Sequence, residues 1–193
     1  MNRPKILVFA GSTRSGALSG KVAAAAAKEL SLLDAEVTLI SLADYTLPIY
    51  DGDLEDEEGV PDNAHRLARM IAAHGGLLIS TPEYNRSLPP LLKNAIDWVS
   101  RVSPSKIAYR GRALALAGSS DGRFGGARAV VDLRKIAATA LGAFVLPDQL
   151  EVPTAQHAFD ESGNLIDEGA ARSLKRLAAS LAETTRWLAP ELD

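Results

Sequence analysis

Two short segments hold most of the chemistry legible in this chain. Gly11-Ser12-Thr13-Arg14 and Thr81-Pro82-Glu83-Tyr84-Asn85 each follow an apolar run that reads as a buried parallel strand, and each leads into a helix. The first is dense in hydroxyls and small residues and contains one guanidinium, the set a phosphate monoester needs at a helix N-terminus. Ser12, Thr13, Ser15 and Ser19 offer hydroxyl donors, Arg14 a charged fork, and the helix its free amides and positive dipole end. The second segment offers carbonyls, amides and an aromatic ring, which suit a flat heterocycle. A third stretch, Gly118 to Gly126, opens with Ser119 and Ser120 and carries four glycines that permit close backbone approach to a ligand.

Gathered at one sheet edge, these loops bracket a molecule with a phosphate at one end and a planar ring system at the other, which is the shape of flavin mononucleotide (FMN). Two other phosphate templates fail on residues. A nucleotide P-loop needs lysine after its second glycine, where Gly16 is followed by Ala17, and the dinucleotide G-x-G-x-x-G needs glycine at Thr13. Reduced flavin gathers negative charge near N1 and the C2 carbonyl, and its N5 favours a nearby amide. Neutral amide donors at Tyr84 and Asn85, and the positive end of a helix starting near Gly126, fit that demand. Arg123 either attracts the phosphate of a nicotinamide cofactor or points into solvent. The acidic run Asp51 to Glu58 matches no calcium-loop spacing and reads as a solvated loop.

The elements that must position these loops follow from periodicity. Strands are expected at Lys5–Ala10, Glu36–Ser41, Leu77–Ser80, Arg112–Ala117 and Phe144–Leu146, and helices at Gly20–Leu33, Asn63–His74, Pro89–Val102, Ala127–Leu141 and Glu168–Leu188. Alternating strands and helices predict a parallel sheet covered on both faces. Five strands fit the flavodoxin-like order 2-1-3-4-5, a three-layer α/β sandwich whose crevice lies at the carboxyl ends of the strands, beside the switch between strands one and three. The three loops follow strands one, three and four.

Composition narrows the alternatives. With 193 residues, 47% hydrophobic and 23% charged, the chain is expected to form a single domain over residues 1–193. A net charge of -3 with scattered Lys and Arg argues against nucleic acid. The apolar start is too short for a signal core or a membrane span, so a cytoplasmic protein without membrane insertion is expected. The absence of cysteine removes thiolate nucleophiles, Fe–S clusters and cysteine zinc sites, so redox chemistry must come from a bound cofactor. His65, His74 and His157 lack paired ligand spacing, which gives no metal site.

Over nearly its whole length the chain resembles the NADPH-dependent FMN reductases, which include bacterial chromate and quinone reductases. The most specific segment is Thr81-Pro82-Glu83-Tyr84-Asn85-Arg86-Ser87 leading into Leu92-Lys93-Asn94-Ala95-Ile96-Asp97-Trp98. Gly11-Ser12-Thr13-Arg14, Leu47-Pro48-Ile49-Tyr50-Asp51 and Gly118-Ser119-Ser120 with Gly125-Gly126 support it. The resemblance implies that Ser12 and Arg14 hold the FMN phosphate, that Pro82, Glu83, Tyr84 and Asn85 line the isoalloxazine, and that Ser119 and Ser120 approach its pyrimidine side. The chain departs from the family pattern at Ala17 and Ser19, where serine and asparagine are usual; Ser19 still offers a hydroxyl. Pro90 replaces a common glycine at a helix start. The resemblance further implies a homodimer or homotetramer with flavin near the interface, where the Leu47–Asp53 loop meets a partner.

The reaction so implied is ping-pong: NADPH or NADH gives hydride to the flavin and leaves, and a quinone, free flavin, chromate or azo compound takes its place. Hydride transfer depends mainly on holding the donor carbon close, so no acid or base side chain is required. Two other readings are an electron carrier without its own nicotinamide site, which the modest net charge disfavours, and a sensor or scaffold that kept the fold without the flavin.

Overall fold

The computed structural model describes residues 3–102 and 108–189. Five parallel strands, β1 (Lys5–Ala10), β2 (Glu36–Ile40), β3 (Gly76–Pro82), β4 (Ala113–Ser119) and β5 (Phe144–Val152), form one sheet in the order β2-β1-β3-β4-β5. This is the flavodoxin-like arrangement expected from the alternation of elements. Val8 pairs with Leu39 on one side and Leu78 on the other, and Leu78 pairs with Ala115, so β1 and β3 lie side by side with their carboxyl ends level.

Strand alternation sends successive side chains to two cores. Ile6, Val8, Leu78, Ala115 and Leu150 pack against α1 (Leu18–Ser31) and α6 (Glu168–Leu188). Leu7, Phe9, Leu77, Ile79 and Leu116 pack against α3 (Asp62–Ala72), α4 (Pro90–Arg101) and α5 (Ala127–Thr139). Near-continuous apolar runs in β1, β3 and β4 are what a strand covered on both faces requires. The unbroken Val22–Ala27 segment of α1 joins high helix propensity to small side chains that lie close on the sheet. Pro90 sits at the first turn of α4, where its missing N–H removes no helical bond. The Asp167 carboxylate caps α6 by accepting from the Ala170 amide at 2.7 Å.

Two expectations are corrected. The acidic run is not a loop: Gly52–Glu58 forms the short helix α2, because the Asp51 carboxylate accepts from the Asp53 amide at 2.9 Å and acidic residues complement the dipole of the first turn. Strand β5 extends well past Leu146 to Val152, its register shifting against β4 between Leu114 and Leu116. Pro147 is tolerated there because β5 is an edge strand.

The segment before α2 is fastened to α4. The Pro48 carbonyl accepts from Asn94 Nδ2 and Trp98 Nε1, both at 2.8 Å, and the Tyr50 amide donates to Asn94 Oδ1 at 2.8 Å. Arg101 Nε donates to Glu55 at 2.8 Å and the Tyr50 hydroxyl donates to the same carboxylate at 3.0 Å. The Arg101 hydrogen bond holds the Glu55 carboxyl below its ordinary pKa, and Tyr50 adds to the effect. A depressed folded-state pKa means that ionised Glu55 contributes stability above the ordinary glutamate pKa of about 4.3, lost as pH falls through the lower folded value. Glu55→Gln is therefore expected to be less stable than the parent at neutral pH in urea melts, with the gap closing below that range.

Candidate flavin crevice

The three loops lie at the carboxyl ends of the adjacent strands β1, β3 and β4. The Gly11 amide donates to the Ser80 carbonyl at 2.8 Å, tying the start of the first loop to β3. A Cβ on Gly11 would come 3.0 Å from Leu92 in α4, so the tight approach of loop and helix needs glycine there.

The loop between β1 and α1 is the one expected to hold the phosphate. Ser12 Oγ accepts from the Arg14 amide at 3.3 Å, a local turn that leaves the hydroxyl proton free to donate outward. The Arg14 side chain is exposed and has no acceptor among the described residues. Ala17, which precedes helix α1, offers no capping side chain, leaving the amides of the helix's first turn open. Beneath them Ser19 is 1% exposed and its hydroxyl has no partner. Burying a hydroxyl without a bond is unfavourable by about 1–3 kcal/mol. A cavity of about 640 Å³ opens beside this loop on its β2 side, lined by Ser12, Thr13 and Arg14 together with Leu39, Ile40 and Ser41, and none of its lining comes from the loops after β3 and β4.

The segment expected to line the ring is a tight hairpin. Tyr84 and Ser87 exchange two backbone hydrogen bonds, both 3.0 Å, across Asn85 and Arg86, whose φ values are 49° and 68°. Two central residues with positive φ make a turn of the kind that matches strand twist. The Tyr84 amide is thus committed to Ser87, and the amide of Asn85 is left open; Tyr84 as a whole is 47% exposed. Arg86 occupies a position that glycine would fill without strain. Arg86→Gly is expected to raise stability by roughly 0.5–1 kcal/mol, read from the denaturant midpoint.

Glu83 faces α5. Its carboxylate accepts from the Arg128 backbone amide at 3.0 Å and from the Arg128 guanidinium at 3.1 Å, while Ser87 Oγ donates to Asp132 at 2.6 Å. The Glu83 carboxylate holds the hairpin against α5, and the helix end expected to face the C2 carbonyl has that carboxylate on its second residue. Pro82 ends β3, half-buried, at the lip of the crevice. The third loop brings Ser119, 1% exposed with an unpartnered hydroxyl, while the Ser120 hydroxyl accepts from the Gly122 amide at 3.0 Å and shapes the turn.

Sequence reasoning missed three residues that serve this edge. Ser80 is fully buried with an unpartnered hydroxyl beside Ala10 and Ala117, and its signal was one hydroxyl in an apolar run. Arg128 and Asp132 anchor the ring hairpin, and the signal there was two charged residues four apart on a helix that otherwise covers the core. Among the described residues no cluster of His, Asp or Glu can hold a metal ion, and no helix is long and apolar enough to cross a membrane.

The orphaned hydroxyls, open helix end and unpartnered Arg14 fit a phosphate-bearing ring ligand, and comparison with known proteins agrees. The NADPH-dependent FMN reductase family profile matches residues 4–157. The chain is 37% identical over 168 residues to a quinone reductase of Escherichia coli K12, covering 86% of each. It is 36% identical over 188 residues to an NAD(P)H-dependent FMN reductase of Pseudomonas aeruginosa, covering 95% of this chain and 96% of that protein. Among solved structures, FerB, an NAD(P)H:acceptor oxidoreductase flavoenzyme from Paracoccus denitrificans, superposes with a TM-score of 0.77 at 27% identity, over 95% of this chain and 98% of that one. With a family profile over most of the chain and relatives above 30% identity along nearly all of it, the protein belongs to the NADPH-dependent FMN reductase family, oxidoreductases that work with FMN and NAD(P)H.

Proposed function

We propose that this protein transfers two electrons from NAD(P)H to a quinone or a free flavin, giving NAD(P)⁺ and the reduced acceptor, at the crevice where the three strand-end loops meet. Bound FMN supplies the relay between donor and acceptor. The observation that carries the residue assignment is the set of polar groups left without partners at that edge: the Ser19 and Ser119 hydroxyls, buried, and the Arg14 guanidinium, exposed.

On this reading Ser12, Arg14 and Ser19 hold the phosphate with the open amides of α1. Pro82, Tyr84 and the Asn85 amide line the ring, and Glu83 positions them through Arg128. Ser119 donates toward the pyrimidine edge, and Ser120 keeps its loop in the turn that places Ser119. None of these groups must move a proton in the first half-reaction; their work is binding and orientation. Quinones and free flavins are the acceptors in view because the relatives named above are a quinone reductase and an FMN reductase, and chromate and azo compounds suit the same solvent-accessible ring. An electron carrier is not favoured by those relatives.

Ile49, 75% exposed on the segment fastened to α4, supports a homodimer or homotetramer in which that segment meets a partner chain. A cytoplasmic location goes with this reading, since NAD(P)H is its electron donor. The test is anaerobic mixing of the FMN-loaded protein with NADPH, followed by a quinone. Bleaching of the flavin band within seconds and its return with the quinone are expected; a flavin that stays yellow contradicts the proposal.

A further inference from the structure

Phe124 projects from the loop after β4 with 47% of its surface exposed, and two guanidiniums lie against its ring: Arg123 with its Cζ 4.7 Å from the centroid and Arg128 at 4.5 Å. A single arginine over an aromatic ring is an ordinary surface contact. Two on one ring repel each other, and here only one is neutralised, because Arg128 bonds Glu83. Arg123 has no acceptor among the described residues, so the stack carries an uncompensated positive charge.

The platform is fixed in place. The Gly122 carbonyl accepts from Thr154 at 3.3 Å, the Gly125 amide donates to that same carbonyl at 3.3 Å, and the Ala127 amide donates to the Phe124 carbonyl at 3.0 Å. It also adjoins the proposed ring site directly, since Arg128 is shared between Phe124 and Glu83, and Glu83 lies between Pro82 and Tyr84. A nicotinamide dinucleotide with its nicotinamide over the flavin must carry its adenosine half away from the ring across one of the bordering loops.

We propose that Arg123, held outward by Phe124, receives the 2′-phosphate of NADPH and so sets the preference for NADPH over NADH. The chemistry matches: a guanidinium on an aromatic face keeps its planar N–H fork available to phosphate oxygens. The 2′-phosphate is also the one group by which the two dinucleotides differ, and its negative charge relieves the repulsion between the paired guanidiniums. Phe124 is a positioning residue in this scheme, acting through Arg123. The inference rests on the proposed NAD(P)H oxidation at this crevice.

The experiment compares the parent with Arg123→Ala and Phe124→Ala in steady-state oxidation of NADPH and NADH, and in calorimetric binding of adenosine 2′,5′-bisphosphate and 5′-AMP, which needs no turnover. Arg123→Ala is expected to raise KM for NADPH roughly 10- to 50-fold, with KM for NADH changed less than about 3-fold and the two kcat values close to the parent's. The bisphosphate should lose affinity by a similar factor and 5′-AMP should not. Phe124→Ala should reproduce part of the NADPH-selective loss and Phe124→Tyr should restore it. Equal effects on both dinucleotides, no effect on either, or a parent that prefers NADH overturns the assignment of Arg123 while leaving the oxidoreductase reading intact. A parent loaded with FMN that oxidises neither dinucleotide overturns the proposed function and this inference with it.

Discussion

Arg14→Ala is expected to weaken FMN binding by about 10- to 150-fold, since a charge-assisted contact to a phosphate is worth ~1.5–3 kcal/mol. The apo protein should melt at the parent's temperature, because the Arg14 side chain is exposed and bonds to nothing else among the described residues. That split separates a binding residue from a structural one. Fluorescence quenching of free FMN gives the affinity and a thermal melt of the flavin-free protein gives the stability. Riboflavin, which lacks the phosphate, should bind the parent and the variant equally. A variant that retained FMN as tightly as the parent would place the phosphate elsewhere.

The second large effect is expected at Gly125. Its φ is 57°, and a Cβ there would lie 2.8 Å from the Val152 amide nitrogen, the Val152 carbonyl carbon and the Pro153 nitrogen. All three are backbone atoms of the β5 end, which cannot rotate away as a flexible side chain would. Gly125→Ala combines overpacking against that backbone with a left-handed conformation for a residue with a side chain, together about 3 kcal/mol. The damage should extend to the site. The neighbouring Gly126 is packed on Ser119, where an added Cβ would come 2.8 Å from the Ser119 amide, so a displaced loop moves Ser119 as well. Urea unfolding should show a midpoint well below the parent's, with FMN affinity reduced at denaturant-free conditions. The contrasting substitution is Gly59→Ala, where a Cβ meets nothing within 4 Å: its cost is limited to the backbone, φ 80° with ψ −173°, a region essentially reserved for glycine, at about 1–3 kcal/mol, and FMN affinity should not change.

How far the sequence reaches is visible at particular residues. Strand β1 and helix α6 were legible to the residue because their patterns are unmixed: Lys5–Ala10 is apolar after its first position, and Glu168–Leu188 keeps one buried stripe through Leu174, Leu177 and Leu181. The end of β5 was not, because Pro147-Asp148-Gln149 reads as a turn by composition and pairs with β4 only through a register shift that depends on the neighbouring strand. Asp51–Glu58 looked like a solvated loop because its charge has no apolar stripe; its helix is settled by the Asp51 cap and by Arg101, 46 residues away from Glu55. At the site the same division holds. The positions of the three loops were readable from strand ends, but the role of Glu83 was not, since its partner Arg128 stands 45 residues on, and Tyr84's amide is committed by a hairpin whose second turn residue, Arg86, lacks the usual glycine signal. Local pattern places loops at an edge; which polar atoms remain open there is decided by tertiary partners.

The central claim is that the loops after β1, β3 and β4 form one cradle, closed at the phosphate end by Arg14 and the open start of α1 and at the ring end by the Tyr84 hairpin. Parallel titrations of the flavin-free protein with FMN and with riboflavin test it most directly. The account predicts one FMN bound per chain and riboflavin held at least about 10-fold more weakly, with the difference much reduced in Arg14→Ala and quenching of flavin fluorescence in both cases. Equal affinity of the parent for the two flavins, or no uptake of FMN at all, would contradict it.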